Sequence, residues 1–127
     1  MIQPFHLSFV VPDKDTAKNF YLKVLGCELG RDNETWFDIL FFGHQITIHQ
    51  SSPQNPAYKI DHFGPILCRD SWSRVADLCH KNEVGFVMKP TIKNKGQSDE
   101  SGKFLVNDPA GNLLEFKYYQ NFAETVG

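Results

Sequence analysis

The chain has 127 residues, of which 41% are apolar and 22% charged, and its formal net charge is −2. That suits one folded domain with a substantial core, or two small halves sharing one. It offers no basic stripe for nucleic acid and no apolar run near the roughly 18–20 residues of a membrane span. FHLSFVV (5–11) alternates, with Phe5, Leu7, Phe9 and Val11 on one face and His6, Ser8 and Val10 on the other, as a half-buried strand does. Pro12 ends it. Asp13 or Asp15 offers an N-cap for a helix to about Leu25, whose buried stripe is Ala17, Phe20, Tyr21 and Val24. Gly26 suits the C-cap. Strands are predicted at CELGR (27–31), WFDILFF (36–42) and QITIH (45–49), with turns near Asn33 and Gly43.

SSPQNPAYK (51–59) reads as a linker. The plan then repeats. HFGPILC (62–68) is a strand, Ser71 to Lys81 a helix with Trp72, Val75, Ala76 and Cys79 inward, and VGFVMKP (84–90), KFLVN (103–107) and NLLEFKYY (112–119) are strands. DPAGN (108–112) is a hairpin turn. The polar loop IKNKGQSDES (92–101) reads either as a ligand-contacting lid or as an ordinary solvated loop. The expected fold is α+β: two tandem βαβββ modules, about 4–50 and 60–119, forming a curved mixed sheet around a cleft. Cys27, Cys68 and Cys79 form no CxxC. The spacing favours reduced thiols in a cytoplasmic setting. The opening MIQPFHLSFVVPD lacks the basic n-region and small-residue cleavage site of a secretion signal.

Glu115 is out of character in its strand. Leu114, Phe116 and Tyr118 share the face toward the core, and Glu115 lies opposite with Leu113 and Lys117. His49 lies opposite Ile46 and Ile48, His6 opposite Phe5 and Leu7, and His62 opposite Phe63 and Pro65. A lone histidine at a strand start is usually structural, and a lone strand glutamate usually faces solvent. Four such residues, on the first or last strands of two matching halves, point to a shared divalent cation that keeps Glu115 charged. His44 in a turn and His80 near a helix end fall outside the pattern and read as solvated. Cys68 reads as a small buried thiol. Trp36, Phe42, Phe104 and the loop around Gln97 to Lys103 are candidate cleft-lining residues, and Lys103 reads either as a partner for an anionic substrate group or as a solvated lysine at a strand start.

With HLSFVVPD (6–13), FYLKVLG (20–26), HFGPIL (62–67) and DPAGNLLEFK (108–117) in this order, nearly the whole chain resembles the vicinal oxygen chelate superfamily. That group takes in glyoxalase I, extradiol dioxygenases, and fosfomycin- and bleomycin-resistance proteins. The resemblance implies metal ligands at His6, His49, His62 and Glu115. His49 stands where glyoxalase I enzymes generally carry Glu, and no glutathione-binding signature is recognisable. It implies one divalent metal per chain (Fe, Mn, Ni or Zn), a small-molecule substrate, and a homodimer. Four protein ligands would suit lyase or isomerase chemistry by proton transfer, with Glu115 as base, and this is the expected reading because the fourth position holds a competent ligand. Three would suit ring cleavage by an extradiol dioxygenase. A metal-free binding protein of the bleomycin-resistance kind is the third implied reading.

Overall fold

The alternating and helical periodicities become elements in the expected order in the computed structural model, which describes residues 4–125. The chain divides into two units. The first runs to Ile60 and includes the turn Asp108–Asn112, and the second comprises Asp61–Asn107 with Leu113 onward.

In the first unit, β1 (His6–Val11) is followed by α1 (Lys14–Asn19), which loosens into a π-helical turn at Phe20–Val24. The Asp13 carboxylate caps α1 by accepting from the Thr16 backbone N–H at 3.3 Å. β2 (Glu28–Asp32), β3 (Trp36–Phe41) and β4 (His44–Gln50) complete a four-stranded sheet in the order β1-β4-β3-β2, with β1 parallel to β4. Phe9, Val11, Phe37, Ile39, Phe41, Ile46 and Ile48 are buried on one face of the sheet, as are Ala17, Phe20 and Tyr21 of the helix. That leaves His6, Ser8, Asp38, Thr47 and His49 on the other face. Tyr21 also bonds a carboxylate, donating to Asp108 at 2.8 Å. Burial, then the Asp108 charge, pushes its hydroxyl well above the usual tyrosine range. Asp108 further accepts from the Ala110 and Asn112 backbone N–H groups at 3.0 and 2.8 Å. The DPAGN turn is therefore built around one carboxylate.

The second unit repeats the topology. It contains β5 (Ile66–Leu67), α2 (Arg69–Lys81), β6 (Phe86–Lys93), β7 (Ser101–Asn107), β8 (Leu113–Tyr119) and a terminal α3 (Phe122–Thr125). The sheet order is β5-β8-β7-β6, again with the first strand parallel to the last of the sheet. Trp72 of α2 donates its indole N–H to the Phe116 carbonyl at 2.9 Å and meets the Tyr118 ring edge-on at 4.8 Å. Phe104 stacks on Phe116.

Several expectations need correction. The strand expected over 62–68 is regular only at Ile66–Leu67, although Phe63 and Pro65 still bond to β8. β6 extends to Lys93 and β7 begins at Ser101, which shortens the expected loop to residues 94–100. Buried Glu100 anchors that loop, accepting from Gly96 N–H at 2.8 Å and Tyr118 Oη at 2.6 Å, with Arg69 at 3.2 Å. Tied down in this way, the loop has a structural anchor at its C-terminal end. Phe104 is fully buried, so it is core and not cleft lining. His44 is not merely solvated, since its Nδ1 accepts from the Phe5 backbone N–H at 3.0 Å. Cys68 is exposed rather than buried. No helix among the described residues is long and apolar enough to cross a membrane.

Candidate metal-binding site

His62 and Glu115 are brought together on the open face of the second sheet. Phe63 N–H donates to the Leu113 carbonyl (3.1 Å), and Glu115 N–H to the Phe63 carbonyl (2.9 Å). This parallel pairing holds the two side chains side by side, with His62 Nε2 3.4 Å from Glu115 Oε2. Asp61 Oδ2 lies 2.6 Å from His62 Nδ1. A carboxylate only accepts, so it favours the tautomer with the proton on Nδ1 and a lone pair on Nε2. Two acceptors then face one another, an arrangement that calls for a proton or a cation between them.

Donors each about 2.1 Å from a metal stand about 3.0 Å apart at a right angle and about 3.4 Å apart at a tetrahedral angle. The observed separation fits that range, and an imidazole with a carboxylate is a competent donor pair for a first-row divalent ion. The other Glu115 oxygen, Oε1, lies 3.2 Å from Lys117 Nζ. Burial acts to lower the Lys117 ammonium's pKa, but pairing with Glu115 outweighs it and holds the value above the ordinary lysine range. Among the described residues, no group of three or more His, Cys, Asp or Glu side chains stands close enough to hold a metal.

His6 and His49 occupy the first unit. His6 Nδ1 lies 2.8 Å from Gln45 Oε1, also an acceptor, so its Nε2 is likewise freed. Gln45 Nε2 in turn reaches Asp38 Oδ2 at 3.5 Å. Asp38 is buried and accepts from Arg31 Nε (2.5 Å) and Thr47 Oγ1 (2.6 Å). Burial would raise its pKa, but these bonds outweigh it and keep the carboxyl below the usual range. The chain Asp38–Gln45–His6 was not anticipated from the sequence, and neither was Asp61. Each fixes the orientation of a histidine.

Strand register separates His49 from its expected counterpart. β1 pairs His6 with Gln45 and Ser8 with Thr47, whereas His49 lies beside Val10. In the second unit Phe63 pairs with Leu114, which puts Gly64 beside Glu115. With His6 matched to His62, Glu115's place falls to Thr47. His49 lies four residues beyond the partner of His6, about 13 Å along the strand. There it packs against Trp36, with ring centroids 6.1 Å apart.

Comparison with known proteins agrees with this architecture. The family model described as the Glyoxalase/Bleomycin resistance protein/Dioxygenase superfamily matches residues 3–116. A glyoxalase/bleomycin resistance protein/dioxygenase from Alicyclobacillus acidocaldarius is 31% identical, with 92% of this chain and 91% of that chain covered and a TM-score of 0.77. A lactoylglutathione lyase from Agrobacterium tumefaciens shares the fold at 14% identity, covering 94% of this chain and 96% of that chain with a TM-score of 0.70. A virulence protein from Salmonella typhimurium does so at 22% identity, covering 94% and 98% with a TM-score of 0.70. None of the curated proteins matches. The chain belongs to the glyoxalase/bleomycin resistance/dioxygenase superfamily.

Proposed function

We propose that this protein is a divalent-metal-dependent enzyme that takes a small substrate through two adjacent oxygens. The observation that carries this reading is the 3.4 Å approach of His62 Nε2 to Glu115 Oε2, with Nδ1 tied to Asp61. The proposed ligands are His62 and Glu115, to which the family resemblance adds His6. The bound metal would polarise the chelated substrate oxygens. Lys117 holds Glu115 through Oε1, which leaves Oε2 directed to His62.

Two histidines and one carboxylate leave three positions open on an octahedral ion. That favours a ring-opening dioxygenase of the extradiol kind over a four-ligand lyase or isomerase. The support for three ligands is the register, which gives His49 no place equivalent to Glu115's. Protein purified through a chelator should take up about one Mn(II) or Ni(II) per chain in a single-site titration. No affinity for any first-row divalent ion would overturn the reading in favour of a metal-free binding protein.

We further propose a homodimer. Leu40 of β3, and Ile66 and Met88 of the second sheet, are exposed apolar side chains on open sheet faces, which a second copy would cover. Sedimentation equilibrium should show dimer at micromolar concentration, and monomer throughout would remove this proposal.

A further inference from the structure

The second sheet places two rows of polar side chains next to Glu115. Cross-strand pairing aligns Thr91, Lys103 and Lys117 in one row and Lys93, Ser101 and Tyr119 in the next. All six line one cleft of about 370 Å³. Their face is the open one, since Gly102, Phe104, Phe116 and Tyr118 are buried on the other. Lys103 and Lys117 stand directly opposite one another, and like charges so placed destabilise a sheet. Lys117 is paired with Glu115 and sits 3.5 Å from the Tyr119 hydroxyl. Among the described residues, neither Lys103 nor Lys93 has a carboxylate within ion-pair distance. Edge protection does not account for the whole group. Lysines do blunt edge strands, and Lys93 lies on edge strand β6, but Lys103 and Lys117 lie on the inner strands β7 and β8.

We propose that this cleft binds the oxyanion of the substrate, a carboxylate or a phosphoryl group, through Lys103, Lys93 and the hydroxyls of Ser101 and Tyr119. The substrate class rests on the metal reading above, whereas the anion site stands on its own residues. Along β8 the open-face positions run Glu115, Lys117, Tyr119, each step about 7 Å. The substrate is then a small anionic molecule with its adjacent oxygens at one end and its charge about 7–14 Å away.

Amide shifts of the ¹⁵N-labelled protein, titrated with inorganic phosphate or with acetate at constant ionic strength, test the site. Saturable shifts at Ser101, Gly102 and Lys103 are expected with at least one of the two. The tighter of them identifies the group as phosphoryl or carboxylate. Lys103→Met should weaken that binding about tenfold, as loss of one charge-assisted hydrogen bond would, and Lys103→Arg should restore it. Mn(II) affinity should be unchanged in both variants, so failure of the metal reading and failure of the anion site show up in different titrations. Shifts that never saturate, or that persist unaltered in Lys103→Met, would overturn the proposal.

Discussion

Gly64→Ala should destabilise the protein by about 3 kcal/mol, near the upper end of ordinary overpacking costs. For a chain of this size the melting temperature would fall by roughly 10 °C. A Cβ on Gly64 would lie 1.7 Å from the Glu115 carbonyl oxygen, 2.7 Å from its carbonyl carbon and 3.1 Å from its nitrogen. All three atoms are backbone, so no side chain can rotate away. The neighbouring hydrogen bonds of Phe63 to Leu113 and Glu115, and of Lys117 to Pro65, hold the two segments at this separation. Relief requires pulling the 62–65 segment off β8, and that movement takes His62 away from Glu115. Metal affinity should therefore fall together with stability. Gly85→Ala is the matched control, because a Cβ there meets nothing within 4 Å, and it should melt with the parent. A Gly64→Ala protein that melts like Gly85→Ala would show that the strands can separate at little cost.

The tight approach at Gly64 marks where sequence reading stopped. Alternation assigned faces correctly along β1, β4 and β8, because a period of two is a property of each strand alone. The repeated β–α–β–β–β order followed from helix caps and turn residues, which are equally local. Register is a relation between strands distant in sequence. Alternation leaves it free to slide by two residues without moving any side chain to the other face. That freedom leaves His49 and Thr47 equally matched to Glu115 by alternation, and only the pairing puts Thr47 at the level of Glu115 and His49 two residues further on. The groups that orient the histidines were hidden for a similar reason. Gln45 and Asp38 reach His6 across three strands. Asp61 adjoins His62 in sequence but has the composition of any loop residue. Glu100 read as part of a polar loop, and only its contacts with Tyr118, Gly96 and Arg69 reveal an anchor.

Glu115→Gln and His49→Ala should separate under metal titration. Gln keeps the size of Glu115 and removes its charge, so Mn(II) affinity should fall by at least about 100-fold, more than loss of an outer-shell partner costs. The fold should survive. Leu114, Phe116 and Tyr118 are wholly buried on the opposite face, and the lost partner, Lys117, has a half-exposed side chain whose ion pair contributes no more than about 1 kcal/mol. His49→Ala removes a cross-strand contact with Trp36, at a cost of about 0.2–1 kcal/mol. In a three-ligand centre it should leave Mn(II) affinity within about twofold of the parent, a difference of less than 0.5 kcal/mol on the scale where tenfold is about 1.4. Equal, large losses in both variants would restore the four-ligand centre and with it proton-transfer chemistry. Unchanged affinity in Glu115→Gln would make the His62–Glu115 pair a structural contact, held by a proton in place of a metal.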